Sequence, residues 1–108
     1  MSRLSGPNAM PKPAKATVLH TSRIERLLHE HGADHVRART YGASVIVESG
    51  SRDEPLRHLR LRRETVHLWR LDIAGRRGRW ESTPLRGNLE SLITAVTRDF
   101  AWVLTPLA

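Results

Sequence analysis

Between residues 56 and 73 the polar and apolar positions alternate with a period of two. Along 56–63, Arg57, Leu59, Leu61 and Arg63 fall on one face, and Leu56, His58, Arg60 and Arg62 on the other. Along 66–73, His67, Trp69, Leu71 and Ile73 form an apolar row, while Val66, Leu68, Arg70 and Asp72 turn progressively polar. This period belongs to strands with one face on a core. Joined through a short turn centred on Glu64, the two runs set Leu59 opposite Trp69 and Leu61 opposite His67, with Arg60 against Leu68 and His58 against Arg70 on the outer face. Such a short loop favours a residue tolerant of positive φ, and Arg63-Glu64-Thr65 offers neither Gly nor Asn, so a longer turn stays open. Gly75-Arg76-Arg77-Gly78 marks the next tight turn, and pairing across it sets Trp80 opposite Ile73, in one internal cluster with Trp69.

Elsewhere the period changes to that of a helix. Ser22-Arg-Ile-Glu25 matches a capping box, Ile24, Leu27, Leu28 and His31 follow as one stripe, and Gly32 stands where a left-handed end residue belongs, which predicts a helix over 22–31. On that stripe His31 reads as a packed histidine. Residues 35–41 and 43–48 read as strand segments broken at Gly42, and 49–55 as a polar loop. Thr83-Pro84 is expected to end the sheet. Asn88 then caps a second helix over 88–104, with Leu89, Leu92, Ile93, Val96, Phe100 and Val103 on one stripe and Thr105-Pro106 as its stop. Trp102 falls opposite this stripe, beside Arg98, at about 100° per residue. An indole in that position marks either a helix that turns before it or an aromatic anchor for a partner.

Composition adds a charge argument. The chain of 108 residues carries a formal charge of +7. Three of the positive charges, Arg3, Lys12 and Lys15, lie in a proline-containing leader without acidic residues, so 7 − 3 leaves about +4 on the body. Residues 1–17 read as a flexible basic arm and 18–108 as a single domain. From Arg52 to Arg79 nine arginines face only Asp53, Glu54, Glu64 and Asp72. Arginine outnumbers lysine sixteen to two, which suits bidentate pairing with phosphate and equally suits a GC-rich coding sequence. The absence of cysteine excludes disulfides, thiolate metal sites and cysteine nucleophiles, and with no secretory-type apolar run and no membrane span the expected location is cytoplasmic.

No catalytic set is legible, and the chain is expected to be non-enzymatic and without a cofactor. His29-Glu-His31-Gly-Ala-Asp34-His35 resembles the HxHxDH metal-binding signature of metallo-β-lactamase-fold hydrolases, with one residue too many. On a helix His29 and His31 point about 200° apart, so a small metal hydrolase built on His29, His31 and His35 is the minority reading. The element order also invites comparison with double-stranded RNA-binding domains, but Gly87-Asn-Leu-Glu-Ser lacks the basic start that their second helix needs.

The expected architecture is therefore an α+β two-layer sandwich, in order α-β-β-β-β-α, with an antiparallel sheet of four or five strands covered on one face by two helices. The expected function is binding of an acidic partner, most simply DNA or RNA, through His58, Arg60, Arg62 and Arg70 on the open face and Arg76, Arg77 and Arg79 in the turn. With both tryptophans inside, that face lacks the stacking rings of single-strand binders. The alternative is a protein-interaction or assembly module, a homodimer included, that uses the open face or the side of Trp102 and Arg98.

Overall fold

Helix α1 (Val18–Glu30) begins four residues before Ser22. Its N-cap is Thr17, whose backbone N–H donates to His20 Nδ1 at 3.0 Å, so that His20 does what the glutamate of a capping box does. The computed structural model describes residues 15–105. The first fourteen residues of the expected arm lie outside the described residues, whereas Lys15–Thr17 belong to the body. Ala16 is buried and donates its N–H to Gly42 O at 3.1 Å, and Lys15 O accepts from Arg63 Nη1 at 3.1 Å. Thr21, Ile24 and Leu28 form the buried stripe of α1, and Gly32 takes the left-handed conformation, φ 95°, that the helix end requires. His31, expected to be packed, is exposed at the helix end.

Five strands follow, β1 (Arg37–Tyr41), β2 (Ser44–Ser49), β3 (Leu56–Arg63), β4 (Trp69–Ala74) and β5 (Trp80–Gly87), then helix α2 (Leu89–Asp99). The strands pair in chain order as one antiparallel meander, and the helices pack on one face of it, an α+β two-layer sandwich. Val45, Val47, Leu59, Leu61, Trp69 and Leu71 fill that face. Against them pack Ile24, Leu28, Leu89, Leu92, Ile93 and Val96. The four buried apolar side chains of α2 contribute on the order of 10 kcal/mol before entropy, at roughly 1.5–3 kcal/mol each. Asn88 Oδ1 accepts from the Ser91 N–H at 2.8 Å, as its N-cap position predicts. The helix stops at Asp99 rather than near 104, and a 3-10 turn, Ala101–Leu104, buries Val103 and Leu104. No helix among the described residues is long and apolar enough to cross a membrane.

Registers decide which residues face out. Across β3 and β4, Leu59 meets Ile73, Leu61 meets Leu71 and Arg63 meets Trp69, a displacement of four residues from the expected pairing. Four is even, so each side chain keeps its expected face. Across β4 and β5, Trp80 meets Ala74 instead of Ile73, a displacement of one, and it turns to the outer face. Two bulges add to this. Between β2 and β3, Val47 pairs Leu59 and Glu48 pairs Arg57, so His58 is the extra residue and is turned inward, while Arg57, expected beside Leu59 and Leu61, moves to the outer face. In β5, the stretch 83–85 faces Leu71 alone, and Pro84 sits in that irregularity on an edge strand, where a missing N–H is tolerated. The sheet therefore runs past Thr83-Pro84 to Gly87.

Candidate functional site

The face of the sheet away from the helices carries seven arginines from four strands. Pairing places Arg39, Ile46, Arg60, Asp72 and Ser82 in one row, and Tyr41, Ser44, Arg62, Arg70 and Arg86 in the next. Arg37, Glu48 and Arg57 form a third, beyond Arg39.

Each of three carboxylates holds two of the arginines. Asp72, with no exposed surface, accepts from Arg60 Nε at 2.9 Å and from Arg62 Nε and Nη2 at 2.5 and 3.0 Å. Glu48, also buried, accepts from Arg39 Nε at 3.0 Å and lies 3.5 Å from Arg37 Nη2. Glu64, in the β3–β4 loop, accepts from Arg86 Nε and Nη2 at 2.9 and 2.6 Å and lies 3.5 Å from Arg70 Nε. That last contact is an ion pair without hydrogen-bond geometry, which leaves Arg70 Nε unsatisfied within the protein. Hydrogen bonding from Arg86 holds the Glu64 carboxyl below its usual range, and the bond to Asp72 raises Arg62 further. With Arg57, which joins no ion pair among the described residues, seven arginines less three carboxylates leave a formal +4 on this face.

The carboxylates do more than neutralise. A guanidinium has five N–H donors, and Arg60 commits only Nε to Asp72, so its outer donors stay available while its position is fixed. Fixed forks of this kind match the oxygens of phosphate.

Trp80 supplies what the sequence reading denied this face. The Arg60 guanidinium lies 5.1 Å from the Trp80 ring centre, the geometry of a cation–π contact. A cleft of about 310 Å³ runs across the sheet between Tyr41 and Trp80, with Ile46 and Arg39, Arg57 and Arg60 as its remaining lining. Tyr41 is 66 % exposed. Rings and guanidinium groups thus interleave on the open face.

The other expected residues scatter. His58 is 2 % exposed and faces the helix layer, where Nδ1 donates to Val103 O at 2.9 Å and Nε2 accepts from the Ser49 hydroxyl at 2.7 Å. It is therefore no part of the open face, because the bulge in β3 turns it inward. Arg76, Arg77 and Arg79 stand exposed in the β4–β5 turn and join no ion pair among the described residues. Trp102 lies in the 3-10 turn after α2, 63 % exposed, and Arg98 pairs with its neighbour Asp99. His29 Nε2 donates to Val36 O at 2.9 Å and His35 Nε2 to Leu104 O at 2.5 Å. Each thus holds a separate carbonyl, and no three His, Asp or Glu side chains gather as a metal-ligand set among the described residues. Sequence reasoning missed Arg37, Arg39, Tyr41, Arg57 and Arg86, although the alternation Arg37, Arg39, Tyr41 along one strand was a usable signal for the first three.

No protein-family model, curated protein or solved structure matches this chain.

Proposed function

We propose that this protein is a non-enzymatic binding module whose open sheet face takes an acidic partner, most simply nucleic acid. The observation that carries this reading is the excess of seven arginines over three carboxylates on one sheet face, with each carboxylate fixing two of the arginines in place. Phosphate contacts by arginine release counterions, so binding must weaken as salt rises. Three to six phosphates neutralised on a single strand give a slope of log K against log salt of about −2 to −4. Fluorescence polarisation of labelled DNA and RNA, titrated from low ionic strength upward, measures that slope. Absence of salt-dependent binding to either nucleic acid at low ionic strength would falsify the proposal.

A second reading rests on Trp102. Its exposed indole borders a cleft lined also by Leu56, Ala74, Gly75 and Val103, an arrangement suited to a protein partner or a second copy of the chain. Mass in solution and a pulldown with Trp102→Ala test it, and a monomer whose variant loses no partner removes this reading.

A further inference from the structure

We infer that the cleft between Tyr41 and Trp80 is a stacking platform for unpaired bases, so that the open face prefers single-stranded nucleic acid to duplex. The inference rests on the reading of that face as a nucleic-acid surface and narrows it to one substrate class.

Three features of the face lead there. Its aromatic groups present ring surface: Tyr41 is largely exposed, and Trp80 carries the Arg60 guanidinium against its ring. Every base has a π face, and in single strands it stacks on aromatic rings and on guanidinium planes. In a duplex those faces are already stacked on neighbouring base pairs, so Tyr41 and Trp80 would gain nothing from it.

The second feature is shape. Both helices lie on the far side of the sheet, and the cleft is a partly enclosed slot between side chains that crosses the strands. Reading a duplex by its major groove requires a protruding helix or two-stranded ribbon, and this face offers a slot in a sheet surface instead.

The third is spacing. Tyr41 is on β1 and Trp80 on β5, at opposite edges of the sheet. With strands about 4.8 Å apart the two backbones are separated by roughly 19 Å. The rings therefore serve different bases, and a short run of nucleotides lies across the strands between them. Arg39, Arg57 and Arg60 line that path and stand where the connecting phosphates pass.

The test compares a labelled oligothymidylate with a duplex of equal length at one low salt concentration, using the full chain and its Trp80→Ala, Tyr41→Ala and Trp102→Ala variants. The expected result is single-strand binding at least about tenfold tighter than duplex binding. Trp80→Ala and Tyr41→Ala should each weaken single-strand binding about fivefold to a hundredfold and leave duplex binding within about twofold, as loss of one stacked base implies. Trp102→Ala should change neither. Tyr41 is exposed enough for its removal to leave the fold intact, so the result stands if Trp80→Ala does not fold. Equal affinity for the two forms, tighter duplex binding, or two aromatic variants that bind like the parent would overturn the inference while leaving an electrostatic nucleic-acid surface. Binding of neither form would remove the surface itself.

Discussion

Asp72 is a charged residue with no solvent contact, in a sheet face that no helix covers. Its burial follows from its neighbours. Arg60 and Arg62 lie over it from the adjacent strand, and their long side chains cover the carboxylate while their heads bind it. Removing one partner of a buried ion pair typically costs about 3–5 kcal/mol, because the other charge is left uncompensated. Here the survivors are two arginines whose side chains are 24 % and 34 % exposed and can turn toward water. The expected cost of Asp72→Ala is therefore smaller, about 2–3 kcal/mol, read as a lower midpoint in urea denaturation with an unchanged slope. A loss below about 0.5 kcal/mol would mean that the carboxylate does not organise the face. None of this was legible in the sequence, where Asp72 is simply the polar end of an alternating strand. The pairing depends on which arginines sit opposite it, and alternation alone does not give that.

Among the elements, the connections carried less information than the strands they join. The β3–β4 loop contains no glycine; the Thr65 hydroxyl builds it, accepting from the Leu68 N–H at 3.1 Å while Leu68 O accepts from Glu64 and Thr65. A threonine-built turn leaves little trace in sequence, so the longer turn that alternation left open is the one that forms, and only the evenness of the displacement keeps Arg60, Arg62 and Arg70 on their expected face. In the β4–β5 turn the glycines were visible, but Arg77 itself adopts a left-handed conformation, φ 58°, and this changed the count by one and reversed Trp80. A non-glycine residue there is strained, so Arg77→Gly should stabilise the protein by about 0.5–1 kcal/mol, measured as a raised midpoint in chemical denaturation. A destabilising Arg77→Gly would indicate that the arginine side chain makes a compensating contact. The helix ends tell the opposite story for α2: Asn88 was readable because its cap is local chemistry. Asn88→Ala is expected to cost about 1 kcal/mol, with loss of thermal stability as the readout.

At the scale of the whole molecule, histidines join parts that are distant in the chain. His58 in β3 and His35 after α1 donate to the carbonyls of Val103 and Leu104, tying the last turn to the sheet and to the first helix. Their rings meet edge to face, 5.9 Å between centres. Burial lowers the His58 pKa from 6.5, the hydrogen bond to the Val103 carbonyl opposes it in part, and the neighbouring His35 adds a smaller lowering. His20 is lowered too, first by burial and then by Arg63 and Arg23. Above pH 6.5 these rings are neutral in both folded and unfolded chains and contribute no pH dependence. As pH falls through 6.5 the unfolded chain takes up protons first, so the unfolded state is favoured progressively until the depressed folded values are reached. Glu64 works in a lower window: its folded pKa lies below 4.5, so the stability it contributes is present above 4.5 and is lost as pH falls below that value. The melting temperature should therefore decline in two stages on acidification, one beginning near pH 6.5 and one near 4.5. His58→Gln can still donate to Val103 O and accept from Ser49, and it cannot titrate, so it should reduce the first stage to the part that His20 contributes and leave the second. A variant that keeps the full decline between pH 6.5 and 5 would place the titrating group elsewhere. Because His58 sits on the helix side of the sheet and the arginines on the other, the same substitution should leave the open face unchanged. Nucleic-acid affinity of His58→Gln at pH 7.5 is expected to equal that of the parent, which separates the ring that holds the fold together from the side chains proposed to bind.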